Sequence, residues 1–196
     1  MSKENVAQKL DSPLCVKAAL MNEQNFKKAA NIDGIVPNRP GIYCIRITNI
    51  EELPEPLKTN LADRKHNIMY IGVASESLNK RLNQELRAKG HGTFFRSIGA
   101  VLRYRPVQGS LRNMKNKTNY KFSPPDEQKI INWINQNLVV NWIEWNEWNE
   151  WNENITVLET KLIQEHKPLI NIANNPSKLP YISDLRKECV RIANEE

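Results

Sequence analysis

Two short apolar runs stand out from the polar and proline-rich segments around them. The first, IYCIRIT, follows Pro40 and Gly41, and the second, IMYIGVA, follows a polar segment at 51–67. β-Branched and aromatic residues dominate both runs, which predicts buried strands, the first from about Gly41 to Thr48. A polar connection between two such runs favours an antiparallel pair. A third strand is expected much later in the chain, at VVNWIEW.

Elsewhere, apolar residues recur at the spacing of three to four residues that is typical of helices. This pattern predicts helices in PLCVKAALMNEQNFKKAA, SESLNKRLNQELRAKG, TFFRSIGAVLRYR, SPPDEQKIINWINQNL, NITVLETKLIQEH and PYISDLRKECVRIANEE. The first of them would bury Leu14, Ala18, Met21 and Phe26. The elements together predict an α/β (α+β) fold, with a small three-stranded, mainly antiparallel sheet flanked by helices and extra helices at both ends.

Length and composition indicate one globular domain rather than a membrane or secreted protein. The chain has 196 residues, of which 40% are hydrophobic and 26% charged, enough for a sizeable core. No run approaches the roughly 18 to 20 apolar residues of a membrane span, so we expect a cytoplasmic protein. The cysteines Cys15, Cys44 and Cys189 are scattered, and we interpret all three as small core residues in a reducing compartment.

Positive charge is concentrated in one part of the chain. Residues 79–121 contain eleven Lys or Arg and a single acidic residue, Glu85, whereas 141–165 is acidic. Such a block is often only a solvated face, but Tyr, Phe and Gly between the cations are also typical of a surface that contacts nucleic-acid phosphates. The candidate contact residues are Lys80, Arg87, Lys89, Arg96, Arg103, Arg105, Arg112, Lys115 and Lys117.

Three tandem copies of Trp-Asn-Glu follow the third predicted strand, with Trp145, Trp148 and Trp151 three residues apart. A spacing of three cannot keep all the indoles on one buried stripe of a helix or strand. The simpler interpretation is a short-repeat expansion at the surface. The alternative is an aromatic surface for a partner, and the interleaved glutamates argue against nucleic acid as that partner.

Five motif positions occur in an order that resembles the GIY-YIG nuclease superfamily. They are GIY at 41–43, YIG at 70–72, the Arg of NKRL at 81, the Glu of LETKLI at 159 and the Asn of PLINI at 171. HGTFFRSIGAVL and WINQNLVVNWIE are similar to a group of stand-alone bacterial members. Departures are the long segment between the tyrosine motifs, the loop before Arg81, which leaves Lys80 as a rival, and the Trp-Asn-Glu repeat.

The resemblance runs from about Pro40 to Pro176 and implies a domain organisation. We expect an N-terminal helix and loop at 1–39, a catalytic domain at 40–176, and a C-terminal helix at 177–196 packed on the same domain. It also implies a metal-dependent endonuclease acting on DNA, with RNA not excluded. Cleavage of both strands would then need a homodimer or two successive visits. The alternative is a catalytically idle nucleic-acid-binding or assembly protein with the same fold.

The resemblance also implies a catalytic set: Tyr43, Tyr70, Arg81, His91, Glu159 and Asn171. Glu159 would hold one divalent ion, Mg²⁺ or Mn²⁺, which keeps most of its waters, and Arg81 would bind the phosphate through paired donors. Tyr43 is our choice for the general base, although a free phenol titrates near 10 and needs a lowered pKa to act. His91 is a competing candidate. Asn171 is interpreted as structural.

Overall fold

A four-stranded antiparallel sheet lies at the centre of the computed structural model, which describes residues 12–145 and 154–195. Its strands are β1 (Lys27–Lys28), β2 (Gly41–Ile47), β3 (Ile68–Ala74) and β4 (Leu138–Glu144), in the spatial order β1-β4-β2-β3. The predicted fold class and the antiparallel pairing of the three longer strands are confirmed. The predicted number of strands was one too low, because β1 lies within the segment interpreted as the leading helix.

Seven helices surround this sheet in the part of the chain that the structure describes. They are α1 (Pro13–Met21), α2 (Leu57–Asp63), α3 (Leu78–Leu86), α4 (Thr93–Val101), α5 (Pro124–Asn137), α6 (Ile155–His166) and α7 (Pro180–Asn194). Short 3₁₀ turns occur at Glu23–Asn25, Ala29–Asn31 and Ile50–Glu52. Ser77 and Ser123 cap α3 and α5 by accepting hydrogen bonds from the amides of Lys80 and Asp126.

The face of α1 that meets the core differs from the prediction. Val16 and Leu20 are buried, whereas Leu14 is 72% exposed and Ala18 is also exposed. The helix ends at Met21 because Asn22 leaves the helical conformation and caps the following turn. Asn141 of β4 donates to the carbonyls of Ala19 and Leu20, which fixes the end of α1 on the sheet.

Two further sequence interpretations need correction. Cys44 and Cys189 are buried as expected, but Cys15 on α1 is exposed and is not a core residue. The segment 51–67 is more than a polar excursion, because it contains α2 and sends Leu53, Leu57 and Leu61 into the core. Its prolines and charged residues hid a run of leucines spaced by four.

The central strand β2 divides the core into two layers. Ile42 and Cys44 pack in a smaller cluster with α1 and α6, whereas Tyr43, Ile45 and Ile47 face the larger cluster. That larger cluster includes apolar residues of α2, α3, α4, α5 and α7. Because β2 is buried on both faces, its sequence is almost continuously apolar and shows no alternation.

The Trp-Asn-Glu repeat begins at the end of the first described range. Trp145 is described, but the rest of the Trp-Asn-Glu repeat, including Trp148 and Trp151, lies outside the described residues. Within the described ranges, the structure contains no helix with the length and apolar character needed to cross a membrane.

Candidate active site

The two glycines of the tyrosine motifs allow close approaches that a side chain would prevent. A Cβ atom at Gly41 would lie 2.4 Å from the carbonyl oxygen of Ile143 on β4. A Cβ atom at Gly72 would lie 2.5 Å from the hydroxyl oxygen of Tyr43, which faces Gly72 across the β2–β3 pair. Glycine is therefore required at 72 so that the Tyr43 ring can lie across the neighbouring strand.

Tyr43 is fully buried, and its hydroxyl lies between two charged side chains. The Nε of Arg81 donates to this oxygen at 3.4 Å, and the hydroxyl in turn donates to the Oε1 of Glu85 at 3.5 Å. Burial, and then the negative charge of Glu85, hold the pKa of Tyr43 well above its usual value, although Arg81 opposes them. The Tyr43 phenol is therefore protonated at neutral pH in this state.

Tyr70 lies beside Tyr43 on the same face of the sheet, because Tyr70 pairs with Ile45 two residues along β2. The Tyr43 and Tyr70 rings stack with centroids 6.2 Å apart, and Tyr70 also packs against Phe94 of α4 at 5.6 Å. Burial and the charge of Glu85 raise the pKa of Tyr70. Both phenols are thus buried, tightly packed groups that are protonated at neutral pH.

Arg81 and Glu85 are one turn apart on α3 and form an ion pair, with Nη2 of Arg81 2.8 Å from Oε1 of Glu85. The Glu85 side chain is 0% exposed, whereas Arg81 is 32% exposed. The second oxygen of Glu85 accepts a hydrogen bond from the amide of Phe94 at 2.7 Å. Burial raises the pKa of Glu85, and Arg81 and the amides of Phe94 and Phe95 offset part of that effect.

The Glu85 carboxylate takes the place of a side-chain cap on α4. The capping residue of α4 is Gly92, which offers no side chain, so Glu85 satisfies the first turn from the neighbouring helix. A Cβ atom at Gly92 would lie 2.1 Å from the carbonyl oxygen of Gln84, so only glycine allows α4 to begin this close to α3. Glu85 is the site residue that sequence reasoning missed, although it is the single acid of the basic block.

Glu159 reaches this site from the opposite layer of the core. Its helix, α6, packs Leu158, Leu162 and Ile163 in the smaller cluster, next to the edge strand β3. Burial raises the pKa of Glu159, and the Val73 amide and the charge of Arg81 partly offset that effect. The charges of Glu159 and Arg81 therefore influence one another, although no hydrogen bond or ion pair joins the two side chains among the described residues.

The predicted metal ligand fits a hard divalent ion, as the donor set indicates. Glu159 offers an anionic oxygen whose burial penalty a cation would relieve, whereas Glu85 is fully buried and engaged with Arg81 and Phe94. Within 12–145 and 154–195, no group of three or more His, Cys, Asp or Glu is placed to hold a metal. A single protein carboxylate with the other positions filled by water is a coordination that Mg²⁺ accepts.

Asn171 is bonded to the backbone of the edge strand. Its Oδ1 accepts from the amide of Ile71 at 3.0 Å and its Nδ2 donates to the carbonyl of Ile71 at 2.9 Å. The amides of Leu169 and Ile170 also donate to β3, at the carbonyls of Ile68 and Met69. The segment after α6 therefore covers the outer edge of β3, and the Asn171 amide holds it there.

His91 lies in the loop between α3 and α4, three residues before the Phe94 amide that Glu85 accepts. The His91 side chain is exposed, and the backbone carbonyl of the same residue accepts a hydrogen bond from Nη2 of Arg96. A small desolvation penalty, with the charges of Lys121 and Arg96, lowers the pKa of His91. The imidazole is therefore neutral near pH 7 and able to accept a proton.

A polar cleft of about 230 Å³ opens beside these groups. Its walls come from the end of β3, the loop after it and α3, and they include the cations Lys80 and Arg81 and the carboxylate of Glu76. Ser75 and Ser77 add hydroxyl groups to the same cleft. The site therefore has an entrance for a polar ligand at the exposed part of the Arg81 side chain.

Some cations of the basic block are bonded to other parts of the protein, and others are exposed at its surface. Arg87 pairs with Asp33 at 3.1 Å, Arg105 pairs with Glu188 at 3.0 Å, and the buried Arg96 donates to several oxygens of the chain. Arg112 and Lys117 donate to backbone carbonyls while remaining exposed. Lys80, Lys89, Arg103 and Lys115 are exposed, and Lys80 lies 3.4 Å from Glu76.

The comparison with known families agrees with this geometry. A family model described as the GIY-YIG catalytic domain matches residues 41–188, well over half of the chain. The matched range includes both tyrosine motifs, Arg81 and Glu159. No curated protein and no solved structure matches the chain.

Proposed function

Since the chain belongs to the GIY-YIG catalytic-domain family, we propose that it is a metal-dependent endonuclease that hydrolyses phosphodiester bonds in DNA. Nucleases of this family generally use divalent metal ions. The observation that carries the proposal is the contact between Tyr43 and Arg81 at a polar cleft that Arg81 lines, with the charge of Glu159 on a third element acting on the same arginine. Hydrolysis of a phosphodiester needs these kinds of group: a cation for the phosphoryl oxygens, a metal ligand and a proton acceptor.

Arg81 binds the phosphoryl group in this proposal. A guanidinium has five N–H donors, and contacts with Tyr43 and Glu85 account for Nε and part of Nη2. The remaining donors belong to a side chain that is partly exposed and lines the cleft. Glu85 fixes the guanidinium plane before substrate arrives, which lowers the entropy cost of binding in the transition state.

Glu159 holds the metal ion in this proposal, and the ion supplies charge for the leaving oxygen when bound. Its carboxylate is partly buried, and its charge interacts with that of Arg81, which supports a metal ion held next to the phosphate that Arg81 would bind. Glu85 is positioned differently, because both of its oxygens already accept hydrogen bonds or an ion pair. We therefore assign the metal to Glu159 in preference to Glu85.

Tyr43 orients the water and takes its proton in this proposal, and His91 is the competing base. The raised pKa of the buried Tyr43 argues that the phenol does not ionise by itself at neutral pH. Tyr43 therefore takes the proton of the water only as its own hydroxyl proton passes to Oε1 of Glu85, which accepts from it at 3.5 Å. His91 has a suitable pKa, but its exposed ring lies in a loop outside the Tyr43–Arg81–Glu85 network.

DNA binding is assigned to the exposed cations of the 79–121 block. Lys89, Arg103 and Lys115 are exposed, and their charges are available for phosphates. Lys80 lines the same cleft as Arg81, which supports a path for the backbone from this surface into the site. Arg87 and Arg105 serve the fold first, because each pairs with a carboxylate of another segment.

Incubation of the purified protein with DNA tests the proposal. Supercoiled plasmid and labelled duplex, single-stranded and branched DNA are incubated with Mg²⁺, with Mn²⁺ and with EDTA, and products are resolved on gels. We expect nicking that depends on the metal ion. Binding without cleavage of any substrate in either metal would contradict the enzyme and favour a nucleic-acid-binding protein with the same fold.

A further inference from the structure

A second basic pocket lies outside the site described above. It has a volume of about 390 Å³ and opens between α4, the segment around Thr118, and α7. Its walls carry the cations Arg96, Arg186 and Lys187, and none of the described lining residues is a carboxylate. This arrangement favours an anionic ligand.

The charge of Arg96 is held in place by oxygens of the protein. Nη1 donates to the carbonyl of Thr118 at 3.1 Å and to Oδ1 of Asn119 at 2.7 Å, and Nε donates to the carbonyl of Gly92 at 3.3 Å. All of these acceptors are neutral, so they orient the guanidinium, and the negative charge of Glu85 offsets part of its charge. Arg96 is only 8% exposed, and a buried cation of this kind attracts an anion strongly.

Arg186 adds a second positive charge next to Arg96. Burial lowers the pKa of Arg96, and the charge of Arg186 lowers it further, so the two guanidinium groups repel one another across the pocket. Within the described ranges, no carboxylate lies within ion-pair distance of Arg186, whereas Lys187 on the rim lies 3.4 Å from Asp184. An anion between the two arginines would remove this repulsion.

The rest of the lining indicates what the anion is attached to. Tyr120, Ile172 and Val190 give the pocket an apolar wall, and the hydroxyls of Thr118 and Ser183 can donate to phosphate oxygens. A phosphate bearing a planar, weakly polar base matches both parts of the lining. We propose that this pocket binds a nucleotide unit of the nucleic-acid substrate, with its phosphate between Arg96 and Arg186.

The pocket is connected to the candidate active site by residues 91–94. Glu85 accepts a hydrogen bond from the Phe94 amide on one side of this segment. On the other side, Arg96 donates to the carbonyls of His91 and Gly92. A nucleotide held here therefore lies on the flank of the loop that carries His91. The choice of a substrate nucleotide, rather than a free one, rests on the nuclease function proposed above.

Binding of AMP, of adenosine and of a short DNA duplex in EDTA tests the inference. Titrations are compared for the parent, Arg186→Gln and the control Lys129→Gln, which removes an exposed cation from α5. We expect Arg186→Gln to weaken AMP and duplex binding about tenfold. The number of counterions released on duplex binding, measured from its salt dependence, should fall by about one. Adenosine, which has no phosphate, should bind weakly to all three proteins, and Lys129→Gln should match the parent.

The outcomes separate this inference from the proposed function. If Arg186→Gln binds AMP and duplex as the parent does, the pocket is not a nucleotide site, whether or not the protein cuts DNA. If the duplex fails to bind the parent but AMP binds through Arg186, the nuclease proposal fails and the substrate part of this inference fails with it. Circular dichroism checks the fold of each variant. Should Arg186→Gln not fold, protection of Arg186 from phenylglyoxal by AMP in the parent decides the matter, and absence of protection overturns the inference.

Discussion

The Oε2 of Glu85 accepts a hydrogen bond from the amide of Phe94 at 2.7 Å, while its Oε1 pairs with Arg81 at 2.8 Å. One buried carboxylate therefore joins the start of α4 to Arg81, the arginine proposed to bind the phosphate. Because the Tyr43 hydroxyl also donates to Glu85, the position of all three groups depends on this side chain.

Replacement of Glu85 tests this dependence. In Glu85→Gln the amide oxygen can still accept from Phe94, but the charge that holds Arg81 is lost. We expect a loss of about 2 kcal/mol in the free energy of unfolding, because Arg81 is partly exposed and regains water, and a nicking rate lower on the order of a hundredfold. The exposed Glu52→Gln is the matched control.

A second measurement on the same variant separates positioning from simple destabilisation. The negative charge of Glu85 contributes to the raised pKa values of Tyr43 and Tyr70. In Glu85→Gln, tyrosinate absorbance should therefore appear at a lower pH than in the parent while the protein is still folded. An unchanged tyrosine titration would mean that Glu85 has no electrostatic effect on the site.

The glycine of the second tyrosine motif gives another test of the geometry. An added Cβ at Gly72 would overlap the Tyr43 hydroxyl, so Gly72→Ala should displace this ring. We expect a loss of about 1 to 3 kcal/mol in stability and a nicking rate lower on the order of a hundredfold. Thermal unfolding and plasmid nicking measure the two effects.

Gly34→Ala is the comparator for that variant. Gly34 has a φ of +79° and open space around its Cα, so alanine there costs backbone strain without moving Tyr43. It should lose about 1 kcal/mol of stability and retain its nicking rate. Equal losses of rate in the two variants would show that destabilisation alone explains the effect of Gly72→Ala.

The sequence predicted the parts of this site that depend on element type and chain order. Tyr43 and Tyr70 lie on adjacent strands, and their shared face follows from strand alternation together with the register. Glu85 could not be assigned in this way, because a lone acid on a basic amphipathic helix is normally a surface residue. Only the approach of α4 to α3 at Gly92, a tertiary contact, places its carboxylate inside the protein.

The elements that the sequence missed have a similar cause. The leading helix was extended through Lys27 and Lys28, but those residues pair with Val140 and Val139 of β4, far away in the chain. The face of α1 was also wrong, because Asn141 of the same strand fixes the helix by donating to its last carbonyls. Partners distant in sequence decide both features, and local periodicity contains no information about them.

Exposed cations should govern affinity for DNA. In Lys89→Glu and Lys115→Glu, exposed charges without an ion-pair partner among the described residues are reversed, so both should weaken duplex binding on all sequences alike and reduce its salt dependence. The double variant should lose on the order of tenfold or more in affinity by fluorescence anisotropy. Lys129→Glu, outside the block, is the control. An affinity that does not change with salt would contradict this surface.

Two partly buried histidines should make the fold sensitive to acid. His66 accepts a hydrogen bond from the Ile68 amide through Nδ1. Burial lowers the pKa of both His66 and His166, and nearby cations lower it further: Arg64 and Arg46 at His66, Lys17 and Arg46 at His166. The negative charge of Glu165 opposes this effect at His166. The unfolded chain therefore binds protons more readily, and stability should fall as the pH drops through about 6.5 and below.

His66→Asn isolates this contribution, because its Oδ1 can replace Nδ1 as the acceptor but does not titrate. The melting temperature of the variant should fall less than that of the parent between about pH 8 and pH 5.5. His91→Gln, at an exposed position, should keep most of the parental acid sensitivity. Identical pH profiles for the parent and His66→Asn would assign the sensitivity to other groups.

Glu159 carries the sharpest prediction, because it is the carboxylate assigned to the metal. Glu159→Gln keeps the size of the side chain and the Val73 contact but removes the anionic oxygen that a hard divalent ion requires. We expect the variant to fold, to bind Mn²⁺ much more weakly by electron paramagnetic resonance, and to nick plasmid on the order of a thousandfold more slowly. Duplex binding in EDTA should be retained or slightly tighter, because one negative charge near Arg81 is gone. Glu165→Gln on the same helix, where the exposed carboxylate pairs with Lys17, is the matched control and should behave as the parent. If Glu159→Gln binds Mn²⁺ and nicks at the parental rate, Glu159 is not the metal ligand, and the arrangement proposed for this site is wrong.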